Sequence, residues 1–150
     1  MIITTSPEET KALGRRLAGV LSGGENLLLV GDLGSGKTAF VQGLAEGFGL
    51  TEPVKSPTYT YLREYQLPRR STRLAHFDLY RLPDRPTQRD LESIELLERL
   101  GDEDTITVVE WADKLRRADH GSQFVVEFAV RGDSEREINL PESLRKALPS

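Results

Sequence analysis

The sequence NLLLVGDLGSGKT (residues 26–38) decides the fold of this 150-residue chain, because it joins an apolar run to a glycine-rich loop and a helix start. NLLLV (26–30) is bounded by turn residues, which predicts a short strand buried on both faces. An apolar stripe at helical spacing follows the loop, formed by Phe40, Val41, Leu44, Ala45 and Phe48. The order strand, loop, helix predicts an α/β unit.

The loop between the two elements matches the pattern G-x-x-x-x-G-K-[ST], which is typical of phosphate binding. Small residues let backbone N–H groups turn toward phosphate oxygens, and the helix adds its positive N-terminal end. Lys37 is expected to reach the β- and γ-phosphates, and the Thr38 hydroxyl to ligate Mg²⁺. The predicted nucleotide-binding residues are Gly31, Asp32, Leu33, Gly34, Ser35, Gly36, Lys37 and Thr38.

An acid at the end of a neighbouring strand is needed to help hold Mg²⁺. Glu110 follows the apolar run TITVV and is favoured for this position, where it is also long enough to act as a base. Asp78 follows LAHF and is the alternative, or a partner of the first acid. His76 lies within the same run and is expected to be a partly buried, hydrogen-bonded histidine rather than a catalytic one.

Thr58, Trp111 and an arginine-rich stretch are open to two interpretations each. Thr58 in SPTYT (56–60) is either a turn residue or a hydroxyl that senses the γ-phosphate. Trp111 either packs in the core or faces a nucleotide or partner. Residues 69–90 are locally basic, which indicates a solvated face or a docking patch for RNA or an acidic partner.

The rest of the chain predicts a mixed sheet with helices on its faces. Ser6 and Pro7 mark a helix start, with Glu9 in the position of a capping-box acid. No linker divides residues 1–150. The further predicted elements are strands at 58–65, 73–80 and 105–111, a helix at 91–100, and a terminal hairpin around RGDS followed by a short helix.

Composition excludes several classes of protein. The net charge is −4, so general attraction to nucleic acid or an anionic membrane is not expected. The absence of cysteine excludes disulfides and thiolate metal sites. The N-terminus lacks the features of a signal peptide, and no apolar run approaches the length of a membrane span. We therefore expect a soluble cytoplasmic protein.

Four motifs together give a specific resemblance. GDLGSGKTAFVQGLAEGFG, VKSPTYT, HFDLYRL and VVEW, in this order and spacing, closely resemble the bacterial tRNA threonylcarbamoyladenosine (t6A) biosynthesis ATPase family, TsaE. The resemblance extends from about residue 6 to at least residue 113. It implies one small P-loop NTPase-like domain, residues 1–150, of the α/β class with a mixed central sheet.

The resemblance also implies a function and a set of site residues. The family binds Mg²⁺-ATP and hydrolyses it slowly in a complex with TsaB and TsaD, which transfer a threonylcarbamoyl group to the adenosine beside the tRNA anticodon. By motif, the catalytic residues are Lys37, Thr58, Asp78 and Glu110, the metal ligands are Thr38 and Glu110, and Trp111 joins the nucleotide site. The family places the SPEET region near the base.

A small-molecule or nucleoside kinase is the alternative function, since such enzymes also begin with a phosphate loop. It would require an acceptor pocket and a lid, for which LPRRSTR (67–73) is the only candidate. A GTPase is disfavoured because no N-K-x-D motif occurs. A binding module without hydrolysis would bind ATP and release no phosphate.

Overall fold

The computed structural model describes residues 1–52, 61–115 and 122–149, and these contain a seven-stranded sheet with helices on both faces. The strands are β1 (Ile2–Thr4), β2 (Glu25–Val30), β3 (Leu62–Gln66), β4 (Arg73–Asp78), β5 (Thr105–Glu110), β6 (Ser122–Val130) and β7 (Arg136–Asn139). The helices are α1 (Pro7–Ala18), α2 (Lys37–Gly47), α3 (Gln88–Ser93), α4 (Leu96–Arg99) and α5 (Glu142–Ala147), with a 3₁₀ turn at Ala112–Lys114.

The sheet is mixed, with a parallel centre and antiparallel edges in the order β1-β7-β6-β2-β5-β4-β3. β2 is parallel to β5 and β6, and β4 is parallel to β5. The carboxyl ends of these four strands therefore meet at one edge of the sheet, where open α/β sheets bind their ligands. In the register, Glu110 lies opposite both Leu29 and Asp78.

Two apolar clusters hold the helices against the sheet. One face packs on α1 and α2, with Phe40 and Leu44 fully buried against Leu27 and Leu29. The other packs beneath α3 and α4, around Phe77, Val109 and Leu96. The side chains of β5 are buried along its whole length, as expected for a central strand covered on both faces. These clusters confirm the predicted α/β architecture.

The first helix begins where the sequence predicts, but its cap differs in detail. The Ser6 hydroxyl accepts a hydrogen bond from the Glu9 backbone N–H at 3.1 Å, as an N-cap residue does. The Glu9 carboxylate accepts from the Thr5 N–H at 2.6 Å rather than from Ser6, so the predicted capping box is shifted by one residue. The hydrogen bonds that the Glu9 carboxylate accepts from the Thr5 backbone N–H and hydroxyl lower the pKa of Glu9.

The prediction of one continuous helix over residues 91–100 is wrong. Glu95 adopts a left-handed backbone conformation (φ 65°), which ends α3 and separates it from α4. The break lets Ile94 and Leu96 both reach the apolar cluster beneath the two short helices. The predicted strand at 73–80 is present as Arg73–Asp78, and the terminal hairpin and final helix are confirmed as β6, β7 and α5.

Two further differences concern the sheet edges. Strand β1 carries no strand pattern long enough to predict it, and it pairs antiparallel with β7 through Ile2, Ile3 and Thr4. The strand predicted at 58–65 is present as β3 from Leu62 onward, and its beginning lies outside the described residues.

Candidate functional site

A cleft of about 420 Å³ opens at the carboxyl edge of the sheet. Its floor is the glycine loop and the first turn of α2, and its walls are the start of α1, the turn between β6 and β7, and the ends of β4 and β5. The lining residues are Ser6, Pro7, Thr10, Leu33, Gly34, Ser35, Gly36, Lys37, Thr38, Ala39, Asp78, Glu110, Trp111, Asp133, Ser134 and Arg136.

The glycine loop has the backbone form that a phosphate cradle requires. Gly34 and Gly36 adopt positive φ angles of 78° and 103°, a region that L side chains rarely occupy. Gly36 is the N-cap residue of α2 and has no side chain with which to cap the helix. The Ser35 hydroxyl is buried and has no hydrogen-bond partner within the described residues. The loop therefore presents donors suited to an anion.

Lys37 is folded back onto the loop. Its side chain lies in a buried position, donates from Nζ to the Gly31 carbonyl at 2.5 Å, and lies 3.8 Å from the centroid of the Trp111 ring. Burial lowers the pKa of Lys37, while the carboxylates of Glu110, Asp113, Asp78 and Asp32 oppose that shift. A partly desolvated ammonium among four acids is ready to exchange its present partners for phosphate oxygens.

Two carboxylates from adjacent strands face this lysine. Glu110 is 3% exposed and ends β5, whereas Asp78 ends β4 and remains partly exposed. Burial raises the pKa of Asp78, the nearby Glu110 adds to the rise, and a hydrogen bond from the Tyr80 N–H at 3.0 Å opposes it. The pair therefore places one strongly buried and one more accessible acid beside the loop.

His76 is the nearest partner of Glu110. The imidazole is 1% exposed and its Nε2 lies 2.5 Å from Glu110 Oε2. The expected hydrogen bond is present, with Glu110 as the partner, but the ring is fully rather than partly buried. Sequence spacing could not supply that pairing, because 34 residues separate the two side chains and only the parallel register of β4 and β5 joins them.

The oxygen ligands in the cleft fit a magnesium ion held jointly with a nucleotide. Within the described residues, no group of three or more His, Cys, Asp or Glu side chains could hold a metal ion by itself. Mg²⁺ commonly binds through one or two protein oxygens plus substrate phosphates. The Thr38 hydroxyl and the Glu110 carboxylate, both on the cleft, match that requirement.

Trp111 combines the two interpretations left open by the sequence. It adopts a positive φ of 59°, packs against the cluster beneath α3 and α4, and also lines the cleft. The centroid of its ring lies 5.1 Å from that of the Tyr80 ring, and the same ring also contacts the Lys37 ammonium. The residue thus belongs to the site while anchoring it to the core.

Comparison with known proteins identifies the family. The family model "Threonylcarbamoyl adenosine biosynthesis protein TsaE" matches residues 4–138. The chain is 39% identical over 138 residues to the Bacillus subtilis tRNA threonylcarbamoyladenosine biosynthesis protein TsaE, covering 90% of this chain and 80% of that protein. The chain belongs to the TsaE family.

Two more relatives support the TsaE assignment. The Aquifex aeolicus TsaE protein is 32% identical over 141 residues, covering 93% of each chain. The crystal structure of Bacillus subtilis YdiB superposes with a TM-score of 0.69 at 32% identity, covering 97% of this chain and 90% of that one. Among the described residues of this TsaE-family chain, no helix has the length and apolar character needed to span a bilayer.

The TsaE fold brings most of the predicted site residues together. Leu33 to Thr38, Asp78, Glu110 and Trp111 line one cleft, and Gly31 contacts Lys37. Asp32 lies in the same loop and influences Lys37 through its charge. Thr58 lies outside the described residues.

The turn between β6 and β7 is the part of the site that sequence reasoning missed. Asp133, Ser134 and Arg136 line the cleft opposite the start of α1. Arg136 donates from Nε to the Gly34 carbonyl at 2.9 Å and from Nη1 to the carbonyls of Gly132 and Glu135 at 3.1 and 2.9 Å. The motif RGDS signals a hairpin, but only the strand order places it beside the phosphate loop.

Proposed function

We propose that this chain is a Mg²⁺-ATP-binding ATPase subunit of t6A biosynthesis, slow alone and controlled by TsaB- and TsaD-type partners. The observation that carries the proposal is the convergence of Lys37, Glu110 and Asp78 at one phosphate loop in a TsaE-family chain. Modification of the adenosine beside the anticodon then depends on the nucleotide state of this subunit.

The chemistry follows from the positions of these side chains. On ATP binding, Lys37 leaves the Gly31 carbonyl and donates to the β- and γ-phosphate oxygens. Bound Mg²⁺ would neutralise charge on those oxygens, held by the Thr38 hydroxyl and Glu110. Glu110 also orients the attacking water, since its carboxylate reaches the cleft from a buried, rigid strand end. Asp78 supports this arrangement from the adjacent strand.

In this proposal, the nucleoside of ATP occupies the end of the cleft formed by the start of α1 and the turn between β6 and β7. Residues from the start of α1 and from the hairpin turn both line the cleft there: Ser6, Pro7, Thr10, Asp133 and Ser134. The Thr10 hydroxyl hydrogen-bonds Thr4 at 2.7 Å, which ties this wall to the sheet. The arrangement agrees with a base held between α1 and the hairpin, as the family resemblance implies.

Arg136 is expected to support ATP binding by holding the loop against the hairpin turn. Replacing it with alanine removes three hydrogen bonds to backbone carbonyls, so the dissociation constant for Mg²⁺-ATP should rise about 10-fold. Isothermal titration calorimetry would measure this. Arg131→Ala is the matched control, because that exposed arginine contacts Glu137 and does not line the cleft. Equal affinities for both variants and the wild type would contradict the role.

A partner docks at the mouth of the cleft in this proposal. Leu33, within the phosphate loop, is 80% exposed, and Tyr80, whose ring contacts Trp111, is 60% exposed. Arg136 lines the cleft, but it already donates to three carbonyls, which hold it on the loop. An arginine that speeds ATP hydrolysis by about 10³–10⁵ would therefore be supplied by a partner.

Tyr80 provides the test of this docking surface. Replacing Tyr80 with alanine removes a large exposed ring and should weaken binding to the TsaB- and TsaD-type partners about 10-fold. Biolayer interferometry with the reconstituted partners would measure the affinity. Val125→Ala, an exposed apolar residue in the middle of β6, serves as the control. If both variants bind the partners equally well, the docking surface lies elsewhere.

The experiment that tests the proposed function is phosphate release from Mg²⁺-ATP, measured for this chain alone and with the two partners. We expect slow release alone and a large increase with the partners. A labelled-phosphate transfer screen against nucleosides and small metabolites is run beside it. Transfer to an acceptor, with no response to the partners, would support the kinase alternative instead.

A further inference from the structure

The His76–Glu110 pair is a buried polar contact beside the cleft. His76 lies in the middle of β4, two residues before Asp78, and faces the same side of the sheet as Glu110. Its Nε2 lies 2.5 Å from Glu110 Oε2, and the two side chains are 1% and 5% exposed. His76 has no part in the proposed hydrolysis mechanism, although its ring contacts Glu110, the proposed magnesium-side acid.

Nε2 is the ring nitrogen of His76 that contacts Glu110. A carboxylate only accepts hydrogen bonds, so Nε2 must be the donor in the contact with Glu110. The buried Nδ1 has no partner within the described residues. The contact therefore ties one carboxylate oxygen of Glu110 to a ring held by a buried strand.

We propose that His76 is the positioning residue of Glu110. By donating to Oε2, the ring holds the carboxylate in one rotamer and leaves Oε1 available to the cleft, which Glu110 lines. Carboxylates that ligate metals are commonly oriented by such hydrogen bonds, and their loss costs about 10–100-fold in metal affinity or activity. This inference rests on the proposed role of Glu110.

The tautomer can be measured without nucleotide or metal. The chain has two histidines, so long-range ¹H–¹⁵N correlation spectra of the imidazole rings are simple to assign with His76→Gln. We expect the Nε2 of His76 to carry a proton that is hydrogen-bonded to Glu110, and Glu110→Gln to shift that signal. An Nε2 without a proton, or no response to Glu110→Gln, would overturn the proposal.

The functional consequence is tested by the magnesium dependence of phosphate release in two variants. His76→Leu removes the donor, whereas His76→Gln keeps an N–H that can reach Glu110. The leucine variant should need about 10–100-fold more Mg²⁺ for half-maximal release, and the glutamine variant should stay close to the wild type. A merely structural role would lower the melting temperature of both variants without this difference.

The two measurements separate the possible failures. If the wild-type chain releases no phosphate under any condition, the proposed function fails while the imidazole spectra still report on the pair. If His76→Leu does not fold, the imidazole spectra decide the case. Equal magnesium dependence of two folded variants and the wild type would show that His76 does not position Glu110.

Discussion

Replacing Lys37 with alanine is expected to abolish detectable phosphate release and to weaken ATP binding roughly 100- to 1,000-fold. The lysine would donate charge-assisted hydrogen bonds to two phosphate groups, each worth about 1.5–3 kcal/mol, and no other lysine lines the described cleft. Its ammonium is already partly desolvated, so little further desolvation is needed when it turns from the Gly31 carbonyl to phosphate. Calorimetric titration with Mg²⁺-ATP measures the effect.

Lys11→Ala is the matched control for that variant. Lys11 lies on α1 and pairs with Glu8 and Glu46 at 3.9 and 4.0 Å, away from the cleft. The Lys11→Ala substitution removes the same type of side chain without changing the proposed phosphate site, so the ATP affinity of this variant should equal that of the wild type. A Lys37→Ala protein that folds normally and binds ATP as tightly as Lys11→Ala would contradict the assignment of the loop.

Replacing Glu110 with glutamine should separate binding from hydrolysis. The amide keeps the size of the side chain and can still accept from His76, but it loses the negative charge that would meet Mg²⁺ and orient water. The rate of phosphate release should fall about 10²–10⁴-fold, the range typical of general acid–base residues, while ATP remains bound through the loop. Single-turnover phosphate release and calorimetry measure the two quantities independently.

Asp78→Asn and Glu98→Gln complete the comparison with Glu110→Gln. Glu98 is exposed, pairs with Arg99 and does not line the cleft, so its variant should behave as the wild type. Asp78→Asn should have a smaller effect than Glu110→Gln, because the aspartate is assigned a supporting position. A larger effect of Asp78→Asn than of Glu110→Gln would show that Asp78, and not Glu110, is the magnesium-side acid.

Local patterns predicted the parts of the fold that depend on neighbouring residues. The loop from Gly31 to Thr38, its flanking strand and helix, and the Ser6 cap are encoded within short stretches of sequence. Glu110 was placed at a strand end because apolar runs of this length form buried strands. The four motifs then led to the TsaE family, which the family model matches over residues 4–138.

Features that depend on the register of distant strands could not be predicted in this way. The His76–Glu110 contact, the approach of Arg136 to Gly34, and the pairing of β1 with β7 all join residues far apart in sequence. The break at Glu95 was missed for a different reason: tertiary packing of Ile94 and Leu96 overrides the helical periodicity of the segment.

The most direct test is t6A formation on unmodified tRNA in a reconstituted system with the two partners, threonylcarbamoyl donor synthesis and Mg²⁺-ATP. We expect sustained t6A formation with the wild-type chain, little or none when the chain is omitted, and none above that background with Lys37→Ala. Formation of t6A at the wild-type rate with a folded Lys37→Ala protein would contradict the claim that t6A formation requires ATP bound at this loop.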